Sequence, residues 1–122
     1  MLLPLALAAA LHATMPADSL AGPWRITGDV AGNPLDVTCT FRQTGTALSG
    51  RCVSPQSGTN DLTGQLKDGK LTFQHGGDYN GQALTILYSG TFESAGRVKG
   101  TLLVQPFDAS GTFSAVPVPP KP

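Results

Sequence analysis

Few residues in this chain can do chemistry. Its 122 residues include two cysteines, Cys39 and Cys52, and two histidines, His12 and His75. Structural zinc usually takes four Cys or His donors at short fixed spacings, so this count excludes most such sites, and no metal or cofactor is expected. In Leu71-Thr-Phe-Gln-His75 the period of two puts His75 on the same face as Leu71 and Phe73. There it is placed to bind a ligand or to act as a base near Asp78; a neutral histidine hydrogen-bonded near a rim is the simpler reading. No Gly-x-Ser-x-Gly elbow accompanies it. Asp18, Asp29, Asp36, Asp61, Asp68, Asp78, Glu93 and Asp108 are scattered over turns and strand ends, with no spacing that would pair two carboxylates for acid–base work. The expectation is that the protein is not an enzyme. Eight basic and eight acidic residues cancel, which gives no electrostatic case for nucleic acid or an anionic membrane surface.

The elements that would carry these residues are strands. Fifteen Gly and ten Pro punctuate the chain, and no segment keeps a helical period. Leu2–Leu11 is apolar and uncharged, too short for the roughly 20 residues of a membrane span but suited to the core of a secretory signal. Residues 1–17 are therefore read as a signal peptide, with cleavage after Ala17 preferred over Ala10 or Ala13, although no basic residue precedes Arg25. The mature domain is expected over 18–115, soluble, monomeric and periplasmic or extracellular, with no transmembrane anchor. Val116–Pro122 reads as an extended Pro-rich tail that cannot join a ladder.

Eight alternating runs predict strands near Trp24–Val30, Leu35–Gln43, Ala47–Val53, Asp61–Lys67, Lys70–His75, Ala83–Glu93, Arg97–Gln105 and Ser110–Ala115. Gly45-Thr46 and Asp68-Gly69 are two-residue hairpin signals, and Ser94-Ala95-Gly96 suits a three-residue turn beside a Glu93–Arg97 ion pair. Counting outward sets Phe41 opposite Gly50, Cys39 opposite Cys52, Gly64 opposite Phe73, Phe92 opposite Val98 and Gly90 opposite Gly100. The cysteines then fall on a non-hydrogen-bonded pair, close enough to bridge in an oxidising compartment. Inward glycines at Gly50 and Gly64 imply sharp curvature under aromatic cover. A curved meander of eight strands removes its edges by closing, so the predicted fold is an all-β, eight-stranded antiparallel up-and-down barrel, with a two-sheet sandwich as the alternative. Its interior should hold Ile26, Val37, Phe41, Phe73, Ile86, Tyr88, Phe92, Leu102 and Phe113. The short hairpins gather at a closed end with Trp24. Longer loops at residues 31–34, 54–60, 76–82 and 106–109 gather at an open end.

Gly22-Pro23-Trp24, a Gly-x-Trp opening the first of eight strands, resembles the calycin superfamily of lipocalins, avidins and small periplasmic metalloprotease inhibitors. In the first half, Leu20-Ala-Gly-Pro-Trp24 followed by Leu48-Ser-Gly-Arg-Cys52 is similar to the inhibitor family. That resemblance implies a barrel with Gly22 and Trp24 as its signature and a trunk ahead of the tryptophan, here Asp18, Ser19, Leu20 and Ala21, entering a protease cleft.

Three functions are therefore expected in order. The first is a binding module taking a small apolar ligand or a protein partner at the open end, through Asn33, Gln56, Asn60, His75, Asp78, Tyr79 and Phe107. The second is inhibition of a secreted metalloprotease. The third is a filled structural barrel with no ligand.

Overall fold

A computed structural model of the chain describes residues 19–94 and 96–119. The expected signal segment, Asp18 and the last three residues lie outside that range. The strands are β1 (Gly22–Val30), β2 (Asn33–Thr44), β3 (Ala47–Ser54), β4 (Gly58–Lys67), β5 (Lys70–Tyr79), β6 (Gln82–Ser94), β7 (Arg97–Gln105) and β8 (Ala109–Pro117). Each pairs antiparallel with the next, and β8 returns to β1, which closes the barrel. No described helix is long and apolar enough to cross a membrane.

Alternation decides which face turns inward. Leu71, Phe73 and His75 of β5 are buried while Thr72 and Gln74 between them are exposed. The turns set the pairing as read from the sequence: Phe41 faces Gly50, Cys39 faces Cys52, Gly64 faces Phe73, Phe92 faces Val98 and Gly90 faces Gly100. Gly45 has φ 61° at the first central position of its turn, whereas Asp68 and Gly69 have φ 53° and 76°. These are the mirror-image turns whose twist matches that of paired strands. Cys39 and Cys52 form a disulfide across a close pair with Cα atoms 3.9 Å apart.

Three expectations need correction. The connections at the expected open end are not long. β1 and β2 join through Ala31-Gly32, and β5 and β6 through Asn80-Gly81, all four residues with positive φ. Only residues 55–57 and 106–108 separate the other two strand pairs, so residues taken for loop extend the ladders instead. The three-residue turn at Ser94 is also wrong: Ser94 pairs with Arg97, and a bulge between Phe92 and Ser94 takes up Glu93 as the extra residue. Finally, the tail starts later than expected. Val116 and Pro117 complete β8 opposite Arg25 and Trp24, and the Val118 N–H donates to the Pro23 carbonyl (3.0 Å). The last β7–β8 pair is Val98 with Ala115, so the N–H that Pro117 lacks would face a side where no strand remains.

The inward glycines let strands press together. A Cβ on Gly64 would overlap the Thr72 carbonyl oxygen and sit 2.5 Å from the Phe73 Cβ. At Gly50, with φ 145°, it would run into the Thr40 carbonyl. At the closed end, the floor is made by a residue that precedes the first strand. Leu20 is 1% exposed, its N–H donates to Gln43 Oε1 (2.9 Å), and its carbonyl accepts from Trp24 Nε1 (3.1 Å). Phe92, expected inside, is half-buried and packs edge-on to Trp24 at 6.3 Å.

Candidate functional site

Aromatic rings fill the middle of the barrel. Phe73 and Tyr88, cross-strand partners on β5 and β6, stack with centroids 4.2 Å apart and planes 2° from parallel. Phe41 meets Phe73 edge-on at 5.2 Å, and Phe113 meets Tyr88 edge-on at 5.1 Å. These edge-to-face and stacked contacts leave side chains rather than a ligand at the barrel's waist.

His75 lies one inward position further along β5, towards the far end. Its Nδ1 is 2.7 Å from the Gly76 carbonyl oxygen, and its Nε2 is 2.8 Å from the Tyr88 hydroxyl. A carbonyl only accepts, so Nδ1 carries the proton and the Tyr88 O–H donates to Nε2. Burial holds the His75 pKa below its ordinary value, against a raising effect of the Gly76 bond, and burial pushes the Tyr88 hydroxyl well above the usual phenol range. Both groups are therefore neutral at pH 7. The two ring nitrogens are taken by Gly76 and Tyr88, not by Asp78. The disulfide lies on the same inner wall, and one ring nitrogen of His75 and both sulfurs fall within 4.8 Å of one another.

Towards the open end the inward residues Val30, Leu35, Leu84 and Ala109 are only partly buried and pack against the core. At the same end Tyr79 and Phe107, 51% and 54% exposed, are in edge-to-face contact at 6.3 Å. The contact joins the end of β5 to the β7–β8 turn. A second link ties the β3–β4 turn to β5: the Asp78 N–H donates to Ser57 Oγ (3.0 Å). Asn60 is half-buried beside Gly76 and donates from Nδ2 to the Ser57 carbonyl (3.1 Å).

The structure thus brings together Asn60, His75, Asp78, Tyr79 and Phe107 of the seven residues expected at the open end. Asn33 and Gln56 sit in exposed strand-end and turn positions, where Asn33 Nδ2 donates to the Val30 carbonyl (3.2 Å). Tyr88 and the partly buried Val30, Leu35, Leu84 and Ala109 are functional candidates that the sequence reading did not assign to the site. Asn80-Gly81 was the available signal. Read as a two-residue hairpin, it sets Phe73 opposite Tyr88 and His75 opposite Ile86, which makes His75 and Tyr88 diagonal neighbours.

Five of the seven described acidic groups have structural occupations. Asp29 and Asp78 accept from the N–H groups of Gly32 (2.8 Å) and Gly81 (3.1 Å) in their own turns. Asp36 binds Arg25 through two hydrogen bonds of 3.2 and 2.7 Å, which hold its carboxyl below the usual carboxylate range. Asp61 pairs with Arg51 at 3.5 Å, and Glu93 pairs with Arg97 at 3.8 Å and Lys99 at 3.5 Å.

Two depressions mark the outer wall. The larger, about 710 Å³, lies over Gly64 between Thr63, Gln65, Thr72, Gln74 and Thr101; the smaller, about 470 Å³, lies over Gly28 and Gly100. Both sit over glycines where the sheet bends. Neither is lined by the buried His75 or by the rim aromatics.

Fold and packing together define a closed eight-stranded antiparallel meander filled by side chains at the waist, which fits a calycin-like barrel. Solved structures of this shape include redesigned proteins. The redesigned β-barrel b11L5F_LGL aligns with a TM-score of 0.64 and 11% identity over 84% of this chain and 95% of that one. The redesigned β-barrel mFAP1, bound to DFHBI, gives 0.62 and 14% over 84% and 97%, and EF1p2_mFAP2b, bound to DFHBI, gives 0.59 and 12% over 81% and 94%. At these identities the likeness is one of fold. No family model and no curated protein matches the chain.

Proposed function

We propose that the protein is an exported binding module, not an enzyme, that takes a small apolar or amphipathic molecule at the open rim. The observation that carries this reading is the exposed Tyr79–Phe107 pair at the end of the barrel where Val30, Leu35, Leu84 and Ala109 are only partly buried. Apolar surface gathered at one end and left uncovered is a mark of a recognition site. Two of the barrels of the same shape are bound to DFHBI, which supports small-molecule binding as the class of function. The packed waist keeps a ligand near the rim. Asp29, Asp36, Asp61, Asp78 and Glu93, engaged in turns and surface ion pairs, offer no pair for acid–base catalysis.

Metalloprotease inhibition is the weaker reading. Leu20, one of the four trunk residues, is committed to the barrel floor, so an inserted segment would have to come from residues ahead of it.

The test is a fluorescence titration with an apolar dye such as 1-anilinonaphthalene-8-sulfonate. Saturable enhancement is expected with wild-type protein. A Tyr79→Ala/Phe107→Ala variant of unchanged circular dichroism should bind at least about tenfold more weakly, the equivalent of 1.4 kcal/mol. Leu87→Ser/Leu103→Ser on the outer wall should bind as wild type. Absence of saturation, or equal loss in both variants, would remove the rim from consideration.

A further inference from the structure

Two thiol sources and an imidazole converge inside the barrel at a place the binding reading does not use. Cys39, Cys52 and His75 are all buried, and the two sulfurs and one His75 ring nitrogen lie within 4.8 Å of one another. They come from β2, β3 and β5, so the fold assembles them and no local motif announces them. As long as the disulfide stands, its sulfurs have no charge to offer a metal. We propose that reduction of this disulfide opens a buried site for a thiophilic d10 cation, Zn²⁺ above all, held by the Cys39 and Cys52 thiolates and His75 Nε2.

The chemistry balances simply. A dithiol or phosphine reductant delivers two electrons, the S–S bond breaks, and two protons complete the thiols. The reductant leaves as its own disulfide or, for a phosphine, as the phosphine oxide, water supplying the oxygen. Zn²⁺ then displaces both thiol protons to solvent. Two thiolates, one neutral imidazole and Zn²⁺ sum to zero charge, which is the sum a buried apolar interior tolerates. A Cu⁺ ion with the same ligands would leave a net negative charge uncompensated among Leu and Phe side chains.

Two further features favour His75 as the third ligand. Metal-binding histidines usually donate their second ring N–H to a carbonyl or carboxylate, which fixes the ring and its tautomer. His75 already has that arrangement, with Nδ1–H on the Gly76 carbonyl at 2.7 Å and the lone pair on Nε2. The group now occupying that lone pair is the Tyr88 hydroxyl, 2.8 Å away, whose oxygen has to move aside to admit a metal about 2.0–2.1 Å from Nε2. The same hydroxyl is then an oxygen within reach of the fourth position that Zn²⁺ prefers to fill.

The experiment uses the whole chain, reduced with a non-thiol phosphine, desalted without oxygen and titrated with Co²⁺ and Zn²⁺. Co²⁺ serves as a spectroscopic stand-in, since thiolate ligation gives a near-ultraviolet charge-transfer band and tetrahedral geometry gives strong visible bands. One Co²⁺ per chain with both signatures, displaced by Zn²⁺ and absent from the oxidised protein, is expected. His75→Gln should weaken Zn²⁺ binding in chelator competition at least about tenfold, the scale on which losing even a supporting partner is felt. Cys39→Ser/Cys52→Ser should abolish the charge-transfer band. A parallel measurement of β-sheet circular dichroism covers the case in which the reduced apoprotein unfolds: Zn²⁺ should then restore the wild-type signal but not that of His75→Gln. Equal affinity of wild type and His75→Gln would show that a flexible dithiol alone captures the ion and would overturn the proposal. So would a failure of the reduced chain to bind Co²⁺ at all, or preference for Cu⁺ with no competitive Zn²⁺ binding.

Discussion

Replacing Gly64 with alanine adds one methyl group at a point where nothing can move aside cheaply. That methyl would overlap the Thr72 carbonyl oxygen and lie 2.5 Å from the Cβ and 2.6 Å from the Cα of Phe73. All three atoms belong to the backbone or to the first side-chain atom of β5, so no rotamer change relieves the clash. Relief requires β4 to move away from β5 at the Gly64–Phe73 pair, which weakens the ladder there and loosens the Phe73–Tyr88 stack. Overpacking of this kind costs about 1–3 kcal/mol. A weakened backbone bond adds about 1 kcal/mol, giving about 2–4 kcal/mol in all. In a domain of about 100 residues that corresponds to a fall in Tm of roughly 10–25 °C. Thr63→Val, one residue away on the outer wall, should stay within about 0.5 kcal/mol of wild type because it adds β-propensity at an exposed site. Urea unfolding followed by far-ultraviolet circular dichroism, with Trp24 emission as a second probe, separates the two. Coincident midpoints for wild type and Gly64→Ala, at equal m, would refute the claim that strand contact forces the glycine.

Tyr88→Phe removes the O–H that reaches His75 Nε2; an unpaired buried acceptor should cost about 1–3 kcal/mol in the same denaturation assay. Stability should also depend on pH through His75. Burial depresses its folded-state pKa below 6.5, so the unfolded chain takes up the proton first. The contribution is complete above pH 6.5 and is lost as pH falls from there through the folded value, and His75→Phe should flatten that slope. Leu20→Ala opens the barrel floor and should destabilise by about 2–3 kcal/mol, the lower part of the range for buried leucines, with a red shift of Trp24 emission. Reduction and alkylation of the disulfide should cost about 2–4 kcal/mol, nearer the lower figure because the loop it closes is a short hairpin.

Much of the barrel was legible because its information is local. Gly45-Thr46 and Asp68-Gly69 each fix a turn, each turn fixes a register, and the register delivers the disulfide and the Phe-over-Gly pairs without any knowledge of the rest. Legibility failed where a turn was not recognised. Treating residues 76–82 as a loop hid the pairing of Phe73 with Tyr88, and with it the hydrogen bond that sets the tautomer of His75. It failed again where the partner is remote. Leu20-Ala-Gly-Pro-Trp24 alone does not say that Leu20 closes the floor, since one anchor is the distant Gln43 and its burial depends on the whole ring of strands being closed. The tail was misjudged for a related reason: a proline-rich composition argues against pairing in general, but at the end of β8 the side left without a donor has no neighbour.

The closure of β8 onto β1 also decides how the molecule can be held. The chain enters the barrel at Leu20 and leaves it beside Pro23, where the Val118 N–H meets the Pro23 carbonyl, so both exits lie on the floor side. A tether fused at either flank would therefore attach on that one side, and Tyr79 and Phe107 lie at the opposite end. The same adjacency permits a permuted chain. A short linker can join the two exits, and new ends can open at Ala31-Gly32 or Asn80-Gly81 with every strand still next to its neighbours.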